Sequence, residues 1–244
     1  MDKFCRHFEA AIPKLKRQIL AKFRSQQTQA GFRSVWEHFE DVINPILINF
    51  LINPPLSIPR SDIKEPPSKS TYPDLKVSWK NNIYAIDVKS GEAHKNPWYD
   101  IGRLATYEEK RLSKYKAEYS VVVRWRGRNP IEVVNVYIEP TYRTVGYRAA
   151  SDGVFYRPYD GKIRPKPWTD FEAGTSHWEN EEHFKRGLEL SLNYWRMSYI
   201  AEWYKGMNTA QQQTVQRILA AIDAGEVVEL DEVPADEDEC ESGS

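Results

Sequence analysis

Asp74, Asp87 and Lys89 are the residues of this 244-residue chain whose types and spacing could do chemistry. They stand in Tyr72-Pro73-Asp74 and, after twelve intervening residues, in Asp87-Val88-Lys89. The runs 75–79 and 83–89 are rich in β-formers, the first strictly alternating. Lys80-Asn81-Asn82 lies between them, the pattern of an antiparallel hairpin. In a hairpin the start of one strand lies beside the end of its partner, so the two aspartates converge at one end of the sheet. Two converging carboxylates repel unless a cation sits between them. Hard oxygen ligands without His or Cys select Mg²⁺. Lys89 follows Asp87 by two and shares its face of the strand. An ammonium there can hold a water, favour its hydroxide form and offset charge on a phosphate. These are the parts of metal-assisted phosphodiester hydrolysis.

A third carboxylate would have to come from another element. Glu37, beside the apolar Trp36 in an upstream helix, is the best candidate; Glu40, one turn later, and Asp41 are alternatives. A blander reading makes Asp74 a turn residue after proline and Lys89 a solvated strand end. Against it, both aspartates abut apolar strand runs, where an unpaired charge is unfavourable.

Pro73-Asp74…Asp87-Val88-Lys89 resembles the signature of the PD-(D/E)XK nucleases, the core of most type II restriction endonucleases. The likeness extends toward the EcoRV-like members through Glu65-Pro66, Ala85-Ile86 and Val35-Trp36-Glu37…Pro45-Ile46, with weaker echoes at Asp170-Phe171…Gly174 and Tyr194-Trp195-Arg196. It implies a restriction-endonuclease-like α/β (α+β) core, with Asp74, Asp87 and Glu37 as metal ligands and Lys89 as catalytic lysine. It further implies a homodimer that cuts both strands of a short palindrome in double-stranded DNA, with blunt ends and 5′-phosphates. Ser90-Gly91-Glu92 departs from the threonines that follow the lysine in those members.

Two loops are candidates for reading DNA. Ser68-Lys69-Ser70-Thr71 leads into the hairpin, and the resembling family segment enters the minor groove. Arg148-Ala149-Ala150-Ser151-Asp152-Gly153 offers Arg148, Ser151 and Asp152 to base edges, or is an ordinary Asp-Gly turn. Arg124, Arg126 and Arg128 are either a phosphate-contacting edge or a solvated strand end.

The positioning elements follow from periodicity. Apolar residues at intervals of three and four predict an amphipathic helix over 3–24, packed on its own core or on a second copy. A second helix begins near Ser34 and kinks or ends near Pro45. The proline-rich stretch 53–73 reads as loop. A helix is expected over 97–117, strands over 119–125 and 132–138, loops and short strands over 140–178, and helices over 180–204 and 209–224, the last capped by Asn208. The sum is a mixed sheet flanked by helices in a single nuclease domain, 1–228, followed by an acidic, disordered tail, 229–244.

Composition narrows the class. The content of hydrophobic residues, 41%, and aromatics, 13%, excludes wholesale disorder. From Asp223 onward there are ten acids and no Lys or Arg, which leaves the first 222 residues with 34 basic against 25 acidic groups. A basic body suits a polyanion, and the acidic tail could compete with DNA for it. The two cysteines, Cys5 and Cys240, offer no disulfide framework, and charges scattered through the first 24 residues leave no apolar signal region. A cytoplasmic setting is therefore expected, with no membrane partner; the family resemblance implies a prokaryotic one. The five histidines lack metal-ligand spacing, and no phosphate-binding glycine motif supports NTP use. Two rivals stand beside a restriction enzyme: a junction-resolving or repair nuclease on the same core, and a non-catalytic DNA-binding protein.

Overall fold

The computed structural model describes residues 2–25, 35–67, 71–127 and 130–223. Helix α1 (Lys3–Ser25) carries its apolar stripe through Phe4, Phe8, Leu15 and Ile19, all buried in the chain's own core. Helix α2 (Val35–Ile52) continues past Pro45 and does not end there. The proline costs a helix about 3 kcal/mol. Burial of Ile43, Leu47 and Leu51 on the sheet offsets this at roughly 1.5–3 kcal/mol per side chain.

The proline-rich stretch is loop, apart from a 3₁₀ turn at Arg60–Asp62 and the two-residue edge strand β1 (Ile63–Lys64). Strands β2 (Leu75–Trp79) and β3 (Asn82–Glu92) form the expected antiparallel hairpin. Trp79 pairs with Asn82, leaving Lys80 and Asn81 as a two-residue turn with φ of 47° and 64°. Two positive φ values match the twist of the flanking strands, and Asn tolerates that region better than most residues.

The expected helix over 97–117 is mostly absent. Residues 97–101 are neither helix nor strand, β4 (Gly102–Arg103) follows, and helix α3 (Leu104–Tyr107) passes into one π-helical turn at Glu108–Leu112. Long-range pairing overrides the local pattern: the Ile101 N–H donates to the Ile163 carbonyl, and β4 pairs with a strand sixty residues downstream. Gly102 permits the approach, since a Cβ there would lie 2.5 Å from the Tyr107 ring.

Strands β5 (Ala117–Arg126) and β6 (Glu132–Pro140) complete a five-stranded sheet of order β1-β2-β3-β5-β6. β3 and β5 are parallel and the other neighbours antiparallel, so the architecture is a mixed α+β sheet flanked by helices. Alternation divides the faces. Tyr84, Ile86 and Val88 of β3, and Tyr119, Val121 and Val123 of β5, join the core built with α1 and α2. Val122 joins a second core beneath the opposite face, with Leu104, Tyr107, Ile163 and Trp168. Asp87 and Lys89 lie in the alternate phase of β3, away from the α1–α2 core.

The region 140–178 is loop and short strand as expected up to 167, apart from 3₁₀ turns at Thr141–Thr144 and Ala149–Ser151, but Trp168–Ala173 forms a helix not expected from the sequence. β7 (Tyr147–Arg148) pairs with β8 (Gly153–Val154), and β9 (Tyr156–Arg157) pairs with β10 (Lys162–Ile163), which also pairs with β4. Helices α4 (Trp168–Ala173), α5 (Glu181–Gly206) and α6 (Thr209–Asp223) follow. Asn208 caps α6 reciprocally: its Oδ1 accepts from the Gln211 N–H, and Gln211 Oε1 accepts from the Asn208 N–H, both at 3.0 Å. The chain separates into two compact units, Met1–Trp195 and Arg196–Ser244. The segment 229–244 lies outside the described residues. Among the described residues no helix is long and apolar enough to cross a membrane.

Candidate active site

The hairpin register pairs Leu75 with Ile86, so the next positions, Asp74 and Asp87, come side by side where β2 begins. Both are deeply buried, at 5% and 3% exposure. Asp74 Oδ2 accepts a hydrogen bond from the Val88 N–H at 2.5 Å, and Asp87 Oδ2 pairs with Lys89 Nζ at 2.6 Å. Burial raises the Asp74 carboxyl to about 8; the charge of Asp87 and, less, of Glu40 push the same way. The Val88 N–H and the Lys89 ammonium oppose the rise without cancelling it. The sequence thus places two carboxylates where their mutual charge is only partly neutralised by the protein.

These residues line one cavity of about 550 Å³, together with Glu40, Thr71, Tyr72, Ser90, Trp98, Tyr99, Asp100, Arg157 and Arg164. A second cavity of about 700 Å³ shares Tyr72, Lys89 and Asp100 with it and adds Arg103, Lys110, Arg111, Lys114 and Lys162. The groove across both is mostly cationic around an acidic centre, the charge pattern that holds a phosphate backbone over metal-binding carboxylates.

The floor beside Asp74 is braced from below. Arg111, placed by the π-helical turn, forms a buried ion pair with Glu118 at 2.6 Å and donates to the Ile101 carbonyl. Its guanidinium lies 3.6 Å from the Tyr72 ring centroid, two residues before Asp74. The approach to β2 is thereby tied to β5 and to the segment 97–101.

Glu40 of α2 lines the cavity and is buried, whereas the side chain of Glu37 lies outside the described residues. Thr71 reaches the cavity; Ser68, Lys69 and Ser70 lie outside the described residues. Arg148, Ser151 and Asp152 do not line this cavity. Asp152 sits at φ 47° closing the turn and accepts from the Tyr147 hydroxyl at 2.8 Å, while the Arg148 guanidinium lies over Tyr156 and Tyr194. Arg124 pairs with Glu172, and Arg126 with Glu132 at 2.8 Å; Arg128 is outside the described residues.

Asp100, Arg157, Arg164 and Trp98 were not identifiable as site residues from the sequence. They reach the cavity through the pairing of β10 with β4 and β9. The local hint was a tryptophan set in the polar, proline-bearing run Asn96-Pro97-Trp98.

Among the described residues no group of three or more His, Cys, Asp or Glu side chains is arranged to hold a metal by itself. Two carboxylates suit Mg²⁺, which is commonly bound through one or two protein carboxylates, with water and substrate phosphate completing its shell. The two carboxylates lie buried side by side, and burial first and the charge of Asp87 second raise Asp74, which fits a cation to this pair.

No protein-family profile matches the chain, and no curated protein is similar to it in sequence. Among solved structures it is similar to the NlaIV restriction endonuclease, with a TM-score of 0.49 and 14% identity, over 78% of this chain and 88% of that one.

Proposed function

We propose that the protein is a Mg²⁺-dependent endonuclease of the type II restriction class, hydrolysing phosphodiester bonds of double-stranded DNA. The observation that carries the reading is the buried Asp74–Asp87 pair with Lys89 on Asp87, opening into a cationic groove. Asp74 and Asp87 would hold the ion. When bound, it supplies Lewis-acid polarisation of the phosphate and a more acidic water.

The chain's own groups do the rest. The Val88 N–H fixes the Asp74 carboxylate, so one ligand is oriented before substrate arrives. The Lys89 ammonium, held by Asp87, orients the attacking water and offsets charge accumulating on the phosphoryl group. Water oxygen adds to phosphorus in line and gives up a proton to solvent, the P–O3′ bond breaks, and the leaving oxygen takes a proton from solvent. The products are a 5′-phosphate and a 3′-hydroxyl. Glu37, by the family resemblance, or Glu40, by its place in the cavity, adds the third carboxylate. Cutting both strands of a palindrome requires two such sites, and therefore a homodimer.

Incubating long DNA with the protein and Mg²⁺, then sequencing the fragment ends, tests this reading. Discrete ends carrying 5′-phosphates support it. Intact DNA, or cleavage unaffected by Asp87→Asn, would overturn it.

A further inference from the structure

Trp98 is anomalous for a residue inside a catalytic cavity. Its neighbours Pro97 and Tyr99 turn inward and are buried, but the indole is 59% exposed. It is held in place. The Arg164 guanidinium lies 4.1 Å from the ring centroid, and that arginine is itself only 1% exposed. Arg164 Nη1 donates to Asp100, which also pairs with Lys162 at 2.5 Å. The remaining guanidinium groups, Nε and Nη2, have no hydrogen-bond partner among the described residues. One aromatic face is therefore backed by an anchored cation whose charge is only partly compensated. A second arginine–aromatic pair stands nearby: Arg157, lining the same cavity, lies 4.4 Å from the ring of Tyr159, which is exposed.

An indole kept for packing would be buried. One that docks a protein would continue into an apolar patch, but this one is bordered by Asp100, Arg157, Arg164 and the catalytic aspartates. A flat π-face beside cations is the chemistry that receives a nucleobase with its phosphate. In an intact duplex both faces of a base are already covered. Only a base lifted out of the stack can lie on the indole.

We propose that Trp98, backed by Arg164, is a stacking subsite for an unstacked nucleobase next to the cleaved phosphate. The preferred substrate is then DNA in which that nucleotide is extruded or unpaired. This rests on the nuclease reading above.

Two 30-base-pair duplexes spanning a sequence mapped from the fragment ends of the long-DNA digest serve as probes, one with a single unpaired 2-aminopurine beside the cut position and one with the same base paired. Ca²⁺ replaces Mg²⁺ to hold the DNA uncut, and binding is followed by anisotropy and 2-aminopurine fluorescence. Wild-type protein is expected to bind the unpaired probe about tenfold or more tighter and to quench it further. Trp98→Ala should lose about 5- to 150-fold on that probe and little on the paired one, while Trp98→Phe retains most of the preference. Equal binding of the two duplexes by wild type, or equal weakening of both by Trp98→Ala, overturns the subsite. Cleavage of both duplexes in Mg²⁺ is measured alongside. Cutting without the preference leaves the nuclease and removes the subsite. A Trp98-dependent preference without cutting does the reverse.

Discussion

The backbone N–H of Val88 donates to the carboxylate of Asp74, joining the residue that begins one strand to the residue that follows Asp87 on its partner. One contact therefore sets the spacing of the two buried acids. Strand alternation puts the side chains of Val88 and Lys89 on opposite faces of β3, so the lysine stays beside Asp87 while the valine seals the core against the helices.

Lys89 is expected to act on the chemical step rather than on DNA binding. Lys89→Ala should slow cleavage by about 10²-fold or more, the scale of losing one preorganised charge at the reacting centre. Affinity for DNA in Ca²⁺ should change only a few-fold. Single-turnover rates and anisotropy titrations separate the two effects; a large affinity loss with an unchanged rate would make Lys89 a binding residue.

The raised Asp74 carboxyl has a stability consequence in metal-free protein. Its folded value, about 8, lies above the ordinary carboxylate range. The native state therefore holds this proton more tightly than the unfolded chain. The associated stability is fully present below about pH 4 and is lost as pH rises through 8. Asp74→Asn removes the titration. Melting in EDTA from pH 6 to 9 should show the variant gaining on wild type as pH increases, while its cleavage activity is abolished. A constant difference across that range would contradict the raised carboxyl.

Glu40 lines the cavity and raises Asp74, while Glu37 is the acid implied by family resemblance. Glu40→Gln should weaken Mg²⁺ dependence and slow cleavage by about 10- to 100-fold, the range found for groups supporting a metal centre. Glu37→Gln should cost less. A larger effect at Glu37 would return the role to that residue.

Arg111 and Glu118 are both buried, so removing one leaves the other charge uncompensated. Glu118→Leu should destabilise the fold by about 3–5 kcal/mol. Arg111→Met combined with Glu118→Leu should recover much of that in urea unfolding. The recovered double variant should still cut more slowly, because Arg111 also supports Tyr72 ahead of Asp74. Full activity in it would confine the pair to a packing role.

The hairpin was legible because its information is local. Alternating β-formers, an Asn-bearing turn and the interval between Asp74 and Asp87 all lie within sixteen residues, 74–89. The amphipathic span of α1 was legible for the same reason. Pro45 does not end α2 because its local cost is overcome by burial of the helix on a sheet that forms far away in sequence. The stretch 97–101 misled because a helical spacing of Ile101, Leu104 and Tyr107 competes with pairing to β10, which only the folded chain can supply. Trp98 and Arg164 meet across sixty-six positions, and no spacing rule connects them.

The most direct measurement of the central claim is calorimetric titration of Mg²⁺ into the protein bound to a non-cleavable phosphorothioate duplex, run for wild type, Asp74→Asn and Asp87→Asn. A saturable site in wild type that is lost in both variants, with loss of cutting of the corresponding ordinary duplex, is the predicted result. Mg²⁺ binding that survives both substitutions, or cutting that survives either, would contradict the assignment of these carboxylates to the catalytic ion.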